Sequence, residues 1–451
     1  MRTLFRLQLL LLLTYQVSFG QSEQEYYTIG YKAVKYIDFS RSQSSINRDL
    51  GKEDSLINHR TITSSMWYPA SGNVTNQAMN FGQFLSTIEM DDKYDYRPRD
   101  SVFSQADRFA DYYGLNQSDL ERLVDLPTKA YLDSDFLDKT FPIVVYIPGL
   151  NGFSFENHLL CESIARRGNI VISFNSKGSE GRWMGFSDQD FENLIRDIQF
   201  LIGESIKYSM TNSSRIVLVG HSIGGHANIL TKIRDNRITG LVSLDGSMKH
   251  DLERSNRFVF NDYRKINCPV LSISNQDFAD AHLYLDSLTH SECFYIQTTG
   301  LGHSDYKSLP YLLKDEYDPS KHTKYLSVND LIITFIEMVN DGVVNRSLED
   351  HLHAAADSQF MKYHYIESTP DIDDFKSILG KTGFAYAKST YHSIHSDYPG
   401  FRITENELVD WANRLKYTGY LNEAIEIYKL TLDIYPDNQS VRNKLKRLSD
   451  Y

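Results

Sequence analysis

Cysteine, basic charge and long apolar runs are all scarce in this chain, and each scarcity excludes something. Three cysteines, Cys161, Cys268 and Cys293, stand in 451 residues. So odd and thin a count is no disulfide framework, and stability must come from an apolar core. Cys268 and Cys293 each open a strand-like run, so the alternatives for them are a bridge between neighbouring strands and two buried free thiols. The net charge is −12 with acidic residues spread along the chain, which argues against a nucleic-acid partner. No cluster has metal-ligand spacing, and neither a phosphate-binding loop nor a dinucleotide fingerprint is present, so no cofactor is expected. Beyond residue 20 nothing is long and apolar enough to cross a bilayer, so no transmembrane segment is expected after the leader is removed.

That leader is residues 1–20. Arg2 and Arg6 precede a leucine-rich run over 7–13, and Ser18 and Gly20 are small residues before a cut at Gln21. The expectation is a cleaved signal peptide and a secreted or periplasmic protein, with an uncleaved anchor as the alternative. No cysteine follows the apolar run, so no lipid-modified terminus is expected.

The rest of the chain suits one large domain and a smaller one. Residues 61–68 alternate and end in Met66-Trp67-Tyr68-Pro69, an early antiparallel strand. Residues 71–140 are polar, acidic and aromatic, and read as an insertion with helices near 105–113 and 118–124. Apolar runs then recur at 141–147, 169–174, 216–219, 240–244, 269–274 and 294–298, with helix-like segments between them and a closing helix over 327–340. Strands alternating with helices imply an α/β fold, a mostly parallel sheet covered on both faces, spanning residues 21–355. From about 356 to 451 the pattern is helical. Thr404 to Glu407 form a capping box, and Leu408, Trp411, Ala412, Leu415, Ala424, Tyr428 and Pro436 fall close to tetratricopeptide spacing. One such repeat cannot bury its own face, so it must pack on neighbouring helices or on the larger domain.

The run over 216–219 leads into Gly220-His221-Ser222-Ile223-Gly224, and a helix-compatible segment follows. Strand, sharp turn and helix are what a nucleophile elbow needs. A serine nucleophile needs a base, a group to orient the base, and donors for an oxyanion. His303, in Gly300-Leu301-Gly302-His303-Ser304 past the last core strand, is the candidate base. His221 and His226 are close to Ser222 in sequence only and read as pocket wall or packing. Two aspartates compete for the acid. Asp245 ends the strand over 240–244, and Asp277 lies past the next one; spacing leaves both open.

These residues carry a resemblance. The chain resembles the α/β-hydrolase superfamily over about residues 60–340, and within it the platelet-activating-factor acetylhydrolases and dienelactone-hydrolase-like esterases. The matching pieces are Met66 to Ala70, Pro142 to Leu150, Gly220 to Gly225, Leu244-Asp245-Gly246 and His303. In the acetylhydrolases the acid follows the strand after the elbow helix, which implies Asp245, with Asp277 as the alternative. The oxyanion donors implied are the amides of Ile223 and Leu150, since Pro148 stands where the family has histidine and brings no N–H. Dienelactone hydrolases use a cysteine nucleophile, so their ring opening is not implied for Ser222.

The leading expectation is an exported serine esterase acting on a lipid-like or small carboxylic ester. The second is a non-catalytic exported binding protein, with a tetratricopeptide-like helical region that meets a protein partner.

Overall fold

The computed structural model describes residues 26–43, 58–71, 78–85, 109–110, 113–179, 183–249, 252–276, 283–313, 317–342, 361–366 and 369–449. Residues 1–20, expected to be a leader, and Asp277 lie outside them. Of the helix expected near 105–113, only residues 109, 110 and 113 are described, and they are helical.

The described residues form one sheet of eleven strands. In chain order they are β1 (Thr28–Gln43), β2 (Asn58–Ala70), β3 (Ala78–Asn80), β4 (Pro127–Leu132), β5 (Phe141–Ile147), β6 (Ile170–Phe174), β7 (Thr211–His221), β8 (Gly240–Leu244), β9 (Val270–Asn275), β10 (Cys293–Thr298) and β11 (Met361–Ile366). Across the sheet they run β11-β10-β9-β8-β7-β5-β6-β2-β1-β4-β3. From β6 to β10 all neighbours are parallel. Strands β1 and β2 pair antiparallel, as do β2 and β6.

Alternation along the central strands explains the two-sided core. On β5, Val144 and Tyr146 face one apolar layer, while Ile143, Val145 and Ile147 face the other. On β7, Val217 and Val219 divide from Ile216 and Leu218 in the same way. Helix α2 (His158–Arg166) and helix α5 (Pro319–Asp341) cover the first face, and α3 (Asp188–Ser205) and α4 (Ile223–Arg234) cover the second. Each fully buried aliphatic contributes about 1.5–3 kcal/mol. Helix α1 (Gln117–Val124) packs Leu120 and Leu123 into the first layer.

The α/β fold expected from the strand pattern is present, and three elements depart from the expectation. Strand β1 was not anticipated, although it pairs with β2 along nearly its whole length. Residues 71–140 are more than an insertion. Strand β4 pairs parallel with β1, so this segment extends the sheet and adds Phe81 and Phe84 to an aromatic cluster with Phe153 and Phe155. The wholly helical reading after 355 is corrected by β11, which pairs antiparallel with β10 from Cys293↔Ile366 to Thr298↔Met361. Its Met-Lys-Tyr-His-Tyr-Ile sequence is rich in residues that favour a pleated surface, and it covers an otherwise open edge of β10.

Five helices follow: α6 (Ile372–Thr382), α7 (Ala387–Asp397), α8 (Glu405–Tyr417), α9 (Leu421–Ile434) and α10 (Gln439–Ser449). Thr404 caps α8, accepting the Glu407 N–H at 3.3 Å while the Glu407 carboxylate accepts the Thr404 N–H at 2.8 Å. Leu408, Trp411 and Ala412 of α8 and Ala424 and Tyr428 of α9 share a core with Phe375, Leu379, Tyr391 and Val441. The helical region therefore buries its apolar faces on its own helices. Cys161, Cys268 and Cys293 are free and buried. No helix among the described residues is long and apolar enough to cross a membrane.

Candidate active site

Strand β7 delivers Ser222 to the carboxyl edge of the sheet, and α4 starts one residue later. Ser222 has φ 56° and ψ −119°, a conformation a non-glycine residue adopts only under constraint. The constraint is visible on both sides. A Cβ on Gly220 would lie 2.3 Å from the Gly224 main chain, and one on Gly224 would lie 2.3 Å from the Ile147 carbonyl oxygen. The two glycines are therefore needed for space. The Ser222 main chain is also tied down. Its N–H donates to the Leu244 carbonyl at 3.0 Å, and its carbonyl accepts the Ser247 N–H at 3.0 Å.

The structure brings Ser222, His303 and Asp245 into one line. Ser222 Oγ is 3.0 Å from His303 Nε2, and His303 Nδ1 is 2.5 Å from Asp245 Oδ2. A carboxylate oxygen only accepts, so Nδ1 carries the proton and Nε2 offers its lone pair to the serine hydroxyl. Asp245 is fully buried at the end of β8, with φ 46°. Its N–H donates to the Ile273 carbonyl at 2.7 Å, and its Oδ1 accepts the Asn275 N–H at 3.1 Å. Asn275, at the end of β9, was not singled out from the sequence. The His303 side chain is 49% exposed, so a substrate can reach its outer edge. His303 opens a 3₁₀ turn (His303–Tyr306). Asp305 holds that turn by accepting the Gly302 N–H at 2.7 Å and pairing with Lys321 of α5 at 2.7 Å.

The candidate oxyanion loop follows β5. Pro148 has no N–H, and the Gly149 N–H donates to Glu156 Oε1 at 3.1 Å, so it is turned inward. Leu150 is the next residue. Ile223 is the first residue of α4, where an N–H has no acceptor within the helix. Beside them Asn151, at φ 55°, exchanges two bonds with Met184. Its Oδ1 accepts the Met184 N–H at 2.7 Å, and its Nδ2 donates to the Met184 carbonyl at 3.0 Å.

Behind this loop lies a buried charged group that the sequence did not reveal. Glu156 Oε1 also accepts from the Tyr146 hydroxyl at 3.1 Å and lies 3.6 Å from His221 Nδ1. Burial pushes the Glu156 carboxyl up, but His221, Lys307 and the Gly149 N–H more than offset this, and it titrates below the usual carboxylate range. Burial holds His221 below the usual histidine range, against the pull of Glu156. His221 is more than pocket wall: its Nε2 donates to the His303 carbonyl at 2.9 Å. His226 is buried and bonded to Ser255 Oγ at 2.7 Å, a packing role. No group of residues fit to hold a metal ion occurs among the described residues.

No protein-family model matches this chain, and no curated protein matches it. Among solved structures, a ferulic acid esterase from Streptomyces cinnamoneus is similar over 71% of this chain and 92% of its own, with 16% sequence identity and a TM-score of 0.50. The fold is of the α/β-hydrolase type. At that identity the likeness extends to architecture alone, so any reading of activity rests on the residues of this chain.

Proposed function

We propose that this protein is an exported serine hydrolase that cleaves carboxylic esters through an acyl-enzyme. The observation that carries the reading is the hydrogen-bonded line from Ser222 through His303 to buried Asp245, built on a constrained elbow. Ser222 Oγ attacks the ester carbonyl carbon while His303 Nε2 takes its proton. Asp245 stays ionised and stabilises the imidazolium. The oxyanion accepts from the amides of Ile223 and Leu150. His303 returns the proton to the leaving alkoxide, and the alcohol departs. His303 then deprotonates a water that attacks the acyl-enzyme, and the proton returns to Ser222 as the acid is released. Residues 1–20 support export, and the Trp-Tyr-Pro and Leu-Asp pieces support an acetyl or other acyl ester, lipid-like or small.

The test is fluorophosphonate labelling beside hydrolysis of p-nitrophenyl esters of graded acyl length, with a ferulic acid ester in the panel. Wild type should label and turn over. Ser222→Ala should lose labelling and at least ~10⁴-fold in kcat. Labelling retained by Ser222→Ala overturns the nucleophile. A wild-type chain that takes no probe overturns the esterase reading in favour of a binding protein whose helical region meets a partner.

A further inference from the structure

Three chain segments supply the proposed chemistry: the oxyanion loop after β5, the elbow, and the turn that carries His303. A fourth, residues 156–158 leading into α2, bonds to two of them and faces the third. The Glu156 carboxylate accepts the Gly149 N–H of the oxyanion loop at 3.1 Å. The same oxygen faces His221 of the elbow at 3.6 Å, and His221 donates to the His303 carbonyl at 2.9 Å. The Glu156 main-chain carbonyl accepts both the N–H and the hydroxyl of Ser308, at 3.3 and 3.1 Å, just beyond His303. Asn157 Nδ2 donates to the Tyr306 carbonyl at 3.0 Å, and Tyr325 fixes the Asn157 amide at 2.7 Å.

A side-chain carboxylate in this position is costly. An ion removed from water destabilises the fold unless donors surround it, and a well-packed apolar residue of similar volume is often as stable or more so. Here the donors are the Gly149 N–H, which precedes the Leu150 amide, and the Tyr146 hydroxyl near the end of β5. The His221 ring, whose Nε2 proton goes to the His303 carbonyl, faces the carboxylate without donating to it.

We propose that Glu156 is a positioning residue for the esterase reading above. Its carboxylate fixes the oxyanion loop. Its main chain, with Asn157, fixes the turn bearing His303, and its carboxylate packs against the His221 ring that donates to the His303 carbonyl, so donor and base keep one spacing about Ser222. It does not touch the reacting atoms.

Glu156→Ala and Glu156→Gln test this, with kcat and KM for p-nitrophenyl acetate normalised to sites titrated by a fluorophosphonate. Misplacing a base or an oxyanion donor costs on the order of 10²-fold. Glu156→Ala should lower kcat ~100-fold with KM within about twofold. Glu156→Gln keeps a carbonyl for the Gly149 N–H and should recover to within about tenfold of wild type. Amide hydrogen exchange over residues 147–153 and 303–308 should quicken at least ~10-fold in both segments of the alanine variant. Unchanged kcat per titrated site in Glu156→Ala overturns the proposal, because that residue would then only support folding. Unchanged exchange in either segment overturns the bracing.

If Glu156→Ala does not fold, His221 carries the same test. His221→Leu removes the donor to His303 and should cost ~50-fold in kcat, while His221→Gln keeps a donor and should stay within about fivefold. Equal losses overturn the proposal. If the wild-type chain takes no probe, the esterase reading falls by itself, and the exchange measurements still decide the bracing.

Discussion

Glu156 and Glu162 lie at the two ends of one short stretch, are both buried, and have their pKa values shifted in opposite directions. Glu156 has the Gly149 N–H, the Tyr146 hydroxyl, His221 and Lys307 around its carboxyl, and titrates below the usual carboxylate range. Glu162 has the Lys129 N–H, 3.3 Å from each oxygen, and burial pushes its pKa up to about 7. Burial does not distinguish them; the donors do. A carboxylate stays ionised in the interior where the fold supplies convergent donors, and here they are the Gly149 N–H on the candidate oxyanion loop and the Tyr146 hydroxyl on β5. The stretch between the glutamates is also where the active-site layer meets ordinary core, with Phe81 and Phe84 packed against His158.

Asp245 is a third buried carboxylate and gives the comparison its largest test. It too has an aimed set of partners, His303 and the Asn275 N–H. Asp245→Asn should lower kcat/KM for p-nitrophenyl acetate ~10⁴-fold, because an amide facing Nδ1 favours the wrong tautomer of the base. Asp277→Asn should stay within about threefold of wild type. The reverse result would move the acid to Asp277.

Much of this was legible beforehand, for physical reasons that differ by residue. Gly220 and Gly224 mark the elbow because no Cβ fits at either, so the motif records a steric fact. The parallel strands announce themselves as apolar runs because both faces of the sheet are covered. Asp245 and Asp277 were inseparable by spacing, since the ends of β8 and β9 are neighbours in the sheet and either can reach one histidine. Strand β11 was hidden by the long stretch that separates it from β10, because pairing across such a distance leaves little local signal. Glu156 was the least legible. Phe153-Ser154-Phe155-Glu156-Asn157-His158 matches no motif, and its role comes only from residues brought to it by the sheet. Strand-end chemistry can be read from a sequence, while the bracing behind it depends on tertiary contacts.

His158, the first residue of α2 and two residues after Glu156, offers a sharper test on stability. It is fully buried, and burial lowers its pKa from 6.5 to about 3. The unfolded chain takes a proton below pH 6.5 that the folded state refuses. The stability linked to this ring is therefore present above pH 6.5 and lost as pH falls toward 3. At ~1.4 kcal/mol per pH unit, the loss by pH 4 is on the order of 3 kcal/mol. His158→Asn should weaken the fold at pH 7 and make its urea midpoint less sensitive to acid between pH 7 and 4. A variant whose midpoint falls with acid as steeply as wild type would show that the histidine is not held neutral.

Glu162 gives the smaller and opposite effect, and it separates the two glutamates directly. Folding raises its pKa from 4.5 to about 7, so the folded state binds that proton more tightly than the unfolded chain does. Its contribution is in place below pH 4.5 and lost as pH climbs through 7, by at most ~3 kcal/mol. Glu162→Gln has no such proton to lose. Relative to wild type it should gain about 2 kcal/mol between pH 4.5 and 8, read from urea midpoints, with kcat/KM within about twofold. Glu156→Gln should behave the other way. Its wild-type carboxylate contributes stability above the unfolded pKa and loses it as pH falls, so this variant should compare worst with wild type at high pH. If both glutamine variants show the same pH trend, donors do not set the charge of these carboxyls, and the contrast between the braced site and the plain core falls.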